Sequence, residues 1–540
     1  GDYLPKDHLA HVVDEAVEQI DLQPYYKKIS SVGNPSYHPA LEIKIWFYGY
    51  ATKTYSSRKI EEKLNTDIAF IFLSGMQKPD FRTISDFRKN YLNELKESSV
   101  DIVQICHQLG MTKLGSIALD SKVMKANASA SNTYDEKDII KERKIIEKEI
   151  EEYLTKVNQT DDEEDKLYGL NRRGTELPEN IRKKEDRIRK IKLLAEQLKQ
   201  AQEKLKTSGK KKINLTDEDA QFQKDKGRII PGYRGQAVVD SKEQIIIAND
   251  VTNEQNDCGQ LIPMLDKALE NIARIGSPKE IPKERDNSPQ DNSVNDENKK
   301  INLTADSGYS TGNNLAELEK EKYKDKFDSY IPDRIYQSNT RQTKKDNQQT
   351  EPVCDPTVEQ DKFDKSQEDI ASDKNQKETA FDKSKFIYHK DVDKFECPNG
   401  KLLDYVKSSR KDGHLVSHYQ CNSCNACPHF GKCTTNKRGR TISLSEHQPL
   451  IDKMRQKLST KEGKQIYGRR KTIVEPVFGN MSHNLGFREF FLRGLEKIKG
   501  EFSLMCNAHN IRKIAGFLRR SNLILTQALA KPCTVAIPYG

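Results

Sequence analysis

Three short apolar runs, far apart in the chain, each carry one carboxylate: Ile117-Ala118-Leu119-Asp120-Ser121, Leu303-Thr304-Ala305-Asp306-Ser307 and Ile473-Val474-Glu475-Pro476-Val477. The first two read as buried strands that close on an aspartate, whereas the third has helical spacing. Between the two aspartates the order is strand, hairpin, helix, strand. Tyr233 to Val239 and Ile245 to Val251 are β-rich runs about the turn word Asp240-Ser241-Lys242-Glu243, and Leu261 to Ile275 is amphipathic. This pattern predicts a multi-domain α/β fold, a mixed sheet with flanking helices that is interrupted by insertions. Such a fold allows all three acids to meet at one sheet edge.

The interruptions are legible. Ile139, Ile146, Ile150, Tyr153 and Val157, then Ile188, Ile191, Ala195, Leu198 and Leu205, recur at three- and four-residue steps among dense Lys and Glu. They predict two arms of a helical hairpin over 135–228, with its tip in the polar stretch Asn158 to Pro178 and its apolar stripe as the seam. Residues 1–112 read as an all-α, helix-turn-helix-like unit in which Arg82 and Arg88 are candidate DNA contacts. An ordinary helical cap fits that pattern nearly as well. The core is assigned to 113–134, 229–335 and 462–520. Residues 336–461 are assigned to a polar linker with a cysteine-bearing insertion, and 521–540 to a tail. The polar tracts 279–300 and 335–385 read as loops or disorder.

A chain of 540 residues with 32% charged and 34% hydrophobic content is expected to hold two or three packed units with much solvated surface. The net charge of +9 is unevenly placed: Lys437 to Arg520 holds 19 Lys or Arg against 7 Asp or Glu. A basic zone around one of the acids suits a polyanion. No apolar run approaches the roughly 18 residues that span a bilayer, and no leader is evident. A soluble, intracellular protein is expected.

Each acid alone reads as a cap or turn former, with Glu475-Pro476 marking a helix start. Jointly, in this strand order and with this charge, two Asp and one Glu suit a pair of hard divalent cations. Such cations take oxygen ligands and stabilise charge on both oxygens of an in-line phosphoryl transfer.

The words Leu119-Asp120-Ser121-Lys122-Val123-Met124-Lys125, Gly232-Tyr233-Arg234-Gly235-Gln236-Ala237-Val238-Val239-Asp240, Ala305-Asp306-Ser307-Gly308-Tyr309-Ser310 and Val474-Glu475-Pro476-Val477-Phe478-Gly479 resemble bacterial insertion-sequence transposases of the D, D, E type. The likeness runs over nearly the whole chain. It implies a ribonuclease H-like core, with Asp120, Asp306 and Glu475 as catalytic residues that hold two Mg²⁺ or Mn²⁺. It further implies binding of terminal inverted repeats, metal-dependent strand cleavage and transfer to target DNA, and a homodimer in the active complex. In many relatives the glutamate lies in Y-x2-R-x3-E-x6-K, slots filled here by Gly468, Lys471 and Ser482. Tyr467 and Arg470 keep the Y-x2-R spacing one residue early, and Ser482 departs from the pattern. Tyr467, Arg469, Arg470, Lys471 and Ser482 are the candidate DNA contacts around the glutamate. A catalytically inactive or repurposed DNA-binding protein is the alternative. Lys122 and Gln236 lie close to the inferred site and receive no role.

Cys421-x2-Cys424-x2-Cys427-x5-Cys433 follows a β-like run, with Cys397 upstream. Four thiolates at such spacing can hold a structural Zn²⁺, although the gaps are irregular for a zinc ribbon. Reduced free thiols and an iron-sulfur centre are the other readings.

Overall fold

Alternation along one strand decides how the sheet around Asp120 is assembled. Ser116–Lys125 pairs antiparallel with the long strand Arg228–Asp240, placing Asp120 opposite Ala237, Ser121 opposite Gln236 and Lys122 opposite Gly235. Side chains alternate between sheet faces and directly paired residues share one. Asp120, Lys122, Gly235 and Ala237 therefore lie on one face, and Ser121, Arg234 and Gln236 on the other. The long strand also pairs antiparallel with Gln221–Asp225 and with Ile246–Thr252, the second through the expected hairpin.

The computed structural model describes residues 3–29, 36–168, 179–225, 227–276, 300–333, 336, 381, 383–411 and 414–530. The chain is mixed α/β and divides into two units, 1–296 with 470–540, and 297–469.

In the first unit the sheet is covered on the Asp120 face by the helix Leu495–Ser521. Gly235 permits this approach, because a Cβ there would stand 2.5 Å from the Phe502 ring. Asn510 binds the helix to the sheet twice, accepting from the Ile246 amide and donating to its carbonyl, each at 3.0 Å. Gly494 opens the helix with φ +86°, and its N–H is accepted by Asp217 at 3.1 Å while Asp219 accepts from Leu495 at 3.0 Å. Carboxylates at a helix N-terminus satisfy orphan amides and oppose the positive end of the dipole.

The N-terminal helices Leu9–Glu18, Pro39–Ala51, Ser57–Thr66, Phe81–Asn90 and Leu92–Gln108 belong to this same unit. They are tied to the long C-terminal helix by Tyr50 to Glu501 and by Arg512 to the Ala51 carbonyl. These helices thus pack on the same long helix that covers the sheet.

The hairpin forms as the spacing predicts, from Glu136–Tyr168 and Glu179–Ser208. Ile139, Ile146, Leu198 and Leu205 are buried in its seam, with Ile150, Ile191 and Ala195 alongside. The first arm continues to Tyr168, well into the stretch expected as tip. Residues 169–178 and the side chains of Tyr153, Val157 and Ile188 lie outside the described residues.

The second unit contains a parallel pair, Ile301–Ala305 with Phe327–Tyr330, so that Asp306 follows directly on the first strand's end. It also contains a five-stranded antiparallel sheet in the order Thr441–Ser445, His414–Gln420, Leu402–Lys411, Lys394–Glu396, Ile387–His389. The sheet lies in the stretch assigned to the cysteine-bearing insertion. Phe386, Phe395, Leu403, Tyr419 and Ile442 make a small core on one face, while on the other Ile387 and Leu402 stay exposed among charged residues. The tracts 279–300 and 335–385 fall almost wholly outside the described residues.

Candidate active site

Asp120 is held from both oxygens. One accepts from the Ser121 amide at 2.8 Å, and the other pairs with Arg470 Nη1 at 2.8 Å. The Arg470 side chain is 9% exposed and that of Asp120 21%, so this pair is partly shielded yet reaches solvent on its acidic side. Two residues along, on the same face, Lys122 Nζ donates to the Phe478 carbonyl at 3.1 Å. Arg470 and Phe478 are the two ends of the helix Arg470–Gly479. That helix therefore lies along the strand, gripped at both ends, and carries Glu475 exposed between them. Its buried residues Ile473, Val474, Val477 and Phe478 supply the apolar contact.

Glu475-Pro476 does not start this helix. Pro476 sits inside it and cannot donate to the Thr472 carbonyl four residues back. Gln244 Nε2 donates to that carbonyl instead, at 2.9 Å. Gln244 is anchored in turn: its carbonyl accepts from His509 Nε2 at 3.0 Å, and its side-chain oxygen accepts from Lys513 at 2.8 Å. His509 Nδ1 bonds Asn480 at 3.0 Å, in the π-helical turn Asn480–Asn484 that extends the glutamate helix. Burial lowers the His509 pKa to about 4, so the ring is neutral and accepts at Nδ1. A hairpin turn, a proline and a buried histidine thus fix the helix that bears Glu475. Single-residue motif reading had no signal for this circuit, because its members are remote in sequence.

The expected DNA contacts divide sharply. Arg82, Arg469 and Lys471 are exposed, and Tyr467 is half-buried. Arg88 is buried, lies 4.3 Å over the Trp46 ring and donates to the Tyr50 hydroxyl at 3.1 Å, so it is built into the helical region. Arg470 is committed to Asp120. Ser482 is buried and donates to the Phe478 carbonyl four residues back at 2.6 Å, which turns its hydroxyl onto its own helix rather than towards a phosphate. Part of the basic excess is likewise structural: Arg488, Arg493 and Arg512 donate to backbone carbonyls, and Arg519 and Arg520 pair with Asp7 and Glu243. Gln236 is on the sheet face away from Asp120 and donates to Asp257 at 2.8 Å, where Arg234 also pairs at 3.1 Å. Asp257 is an acid that the sequence reading passed over.

In the second unit, Asp306 precedes the 3₁₀ turn Ser307–Tyr309 without a side-chain cap on it.

Cys397, Cys421, Cys424, Cys427 and Cys433 line one cavity of about 20 Å³ in the same unit, so Cys397 joins the expected four. The Lys401 amide lies 3.3 Å from Cys397 Sγ and the Arg440 amide 3.3 Å from Cys424 Sγ. The Cys421 thiol is held below its ordinary value by Ser423 and Cys424 against the opposing effect of burial, while burial raises Cys424 and Cys433.

Among the described residues, no group of three or more His, Cys, Asp or Glu is arranged to hold a metal ion. The donors fit in kind: oxygen ligands on Asp120 and Glu475 suit a hard cation, and the thiols suit a soft one.

Two family models match this chain. A transposase DDE domain matches residues 396–515, and a transposase domain designated DUF772 matches residues 1–90. Together they support an insertion-sequence DDE transposase. The DDE match takes in Cys397 to Cys433, Glu475 and most of the long C-terminal helix, whereas Asp120 and Asp306 precede it. No curated protein and no solved structure matches. Among the described residues, no helix is long and apolar enough to cross a membrane.

Proposed function

We propose that this transposase binds the terminal inverted repeats of its element, cuts the strands there and joins the freed 3′-hydroxyls to target DNA. The observation that carries the reading is the helix bearing Glu475, inside the DDE match, clamped along the strand face that presents Asp120. Asp120, Asp306 and Glu475 are assigned as oxygen donors to two divalent cations, Mg²⁺ or Mn²⁺. Such ions, when bound, supply positive charge to the attacking and leaving oxygens of the transferred phosphate.

The chain's own residues do the positioning. Arg470 and the Ser121 amide fix the Asp120 carboxylate, and the Gln244–His509–Asn480 circuit fixes the helix of Glu475. Strand, hairpin, helix and strand between Asp120 and Asp306 follow the order of a ribonuclease H-like core, to which we assign the chain. Exposed Arg82, Arg469 and Lys471, with Tyr467, are assigned to DNA. Two ends must be handled together, so a homodimer is assigned to the active complex, in the cytoplasm of a prokaryotic cell. A structural Zn²⁺ at the cysteine cavity is also proposed; it would have to gather the sulfurs. About one zinc per chain by elemental analysis is expected, and its absence removes that ion.

The test is a supercoiled plasmid carrying the DNA that flanks the reading frame. With Mg²⁺ the protein is expected to nick it, while Asp120→Asn, Asp306→Asn and Glu475→Gln each lose on the order of a thousandfold or more in rate and keep end binding. Undiminished cutting by any of the three excludes that residue. A wild-type chain that binds but never nicks is the inactive, repurposed transposase that Ser482 favours as the second reading.

A further inference from the structure

A second cavity of the second unit, of about 290 Å³, lies apart from the cysteines and has a cationic rim. Lys300, Lys324, Lys453 and Lys457 line it together with two acids, Glu319 and Asp328. Leu315, Leu318 and Phe327, with Leu450 and Met454, form its apolar lining. Leu450, Lys453, Met454 and Lys457 recur at three- and four-residue steps, so one face of the helix Gln448–Ser459 makes a wall. The two acids are engaged differently. Asp328 pairs with Lys457, which also donates to the Ser329 carbonyl at 2.9 Å. Glu319 is shared: Lys453 donates to it at 2.9 Å, while Lys324 and Lys300 act on it from outside hydrogen-bond reach. These cations, Lys453 foremost, hold the Glu319 carboxyl below the ordinary glutamate value. Three exposed ammoniums thus converge on one partly exposed carboxylate, over apolar side chains that weaken the screening of charge.

We infer that this cavity grips a backbone phosphate of bound DNA, and that Glu319 keeps the place of that phosphate while DNA is absent. The inference rests on the transposase reading for the identity of the polyanion. Four ammoniums against two carboxylates leave a positive excess for an incoming anion to neutralise. The cavity is also within reach of a duplex engaged at Asp306. Lys300 immediately precedes the strand Ile301–Ala305 and Asp306 immediately follows it. That length of extended chain spans about 20 Å, and a DNA strand carries a phosphate every 3.4 Å or so of helix axis, so the separation is about six base pairs.

The probe is a duplex of roughly 30 base pairs cut from the DNA flanking the reading frame, with binding followed by anisotropy between about 50 and 200 mM salt. The double variant Lys300→Ala with Lys324→Ala is expected to reduce the slope of log affinity against log salt by about 0.9, the share of one phosphate contact. Glu319→Gln should act in the opposite direction and tighten binding about twofold to fivefold, the scale of one exposed ion pair. A variant that merely misfolds could not gain affinity.

An unchanged slope in the double-lysine variant overturns the inference, and if that variant still nicks plasmid the enzymatic reading survives it. A Glu319→Gln protein that binds no tighter than the wild type also overturns it. So does a rise in melting temperature with inorganic phosphate or AMP that the double-lysine variant loses while its DNA slope stays unchanged, since the cavity then serves a free anion. If the wild type binds without nicking while both shifts appear, the enzymatic reading fails and the phosphate contact stands.

Discussion

Two regions of the first unit use the same chemistry, arginine against carboxylate, to opposite ends. In the interior, Arg88 lies over Trp46 and donates to the Tyr50 hydroxyl, and Tyr50 donates to Glu501 at 3.4 Å. Glu501 also accepts from the amides of Phe491 and Leu492 at 3.1 and 2.9 Å. Trp46, Arg88, Tyr50 and Glu501 are buried, so their bonds are spent on holding the N-terminal helices to the C-terminal helix. At the sheet edge, Asp120 and Arg470 form a shorter chain that ends in solvent, beside the exposed Glu475. The difference teaches that a charge is available to a ligand only where water can already reach it. A buried charge can change partner only by unpacking its neighbours, at a cost of several kcal/mol per ion.

The comparison breaks first at Arg88. Arg88→Ala leaves Tyr50 and Glu501 buried without their cation, and the expected loss is about 3–5 kcal/mol of unfolding free energy, read from the urea midpoint. DNA affinity of the fraction that remains folded should be unchanged. Wild-type stability together with weakened DNA binding would return Arg88 to the role that its sequence position suggested.

Glu42 sharpens the same contrast, because it is an interior acid with no cation to answer it. It is 1% exposed in the helix Pro39–Ala51, and neither carboxylate oxygen has a hydrogen-bond partner. Burial, with a smaller push from Asp80, raises its pKa to about 8 from an ordinary 4.5. The folded state therefore holds a proton that the unfolded chain releases. The stability tied to that proton is complete below about pH 4.5 and is lost as pH rises towards 8. Glu42→Gln, uncharged throughout, is expected to match the wild type near pH 5 and to exceed it near pH 8 by on the order of 3 kcal/mol, each pK unit being worth about 1.4. Parallel unfolding curves at the two pH values would show instead that Glu42 ionises freely.

The sequence made the local elements legible because each announces itself by period. The hairpin seam, the strands about Asp120 and Ala237 and the long C-terminal helix all follow from spacing. What it concealed depends on partners hundreds of residues away. Gln244 completes the carbonyl left open by Pro476, Asp217 and Asp219 cap a helix that begins at Leu495, and Arg88 turns inward to Trp46. The five-stranded sheet around the cysteines was hidden for a different reason, since one small apolar face among polar residues barely shifts the local hydrophobicity. The candidate acids were visible, but which neighbouring cations are free to meet DNA was not.

Ser482 provides the smallest test of where that boundary runs. Its hydroxyl returns to the Phe478 carbonyl of its own helix, a bond that adds little net stability and tends to bend the helix. Ser482→Ala is expected to change unfolding free energy by about 0.5 kcal/mol or less and to leave the salt dependence of DNA binding as it was. A marked loss of affinity would mean that the hydroxyl leaves Phe478 for a phosphate in the complex, and the edge region would then exchange more of its bonds than the ion pair of Asp120 implies. Retained affinity would leave the helix as the scaffold that aims Glu475.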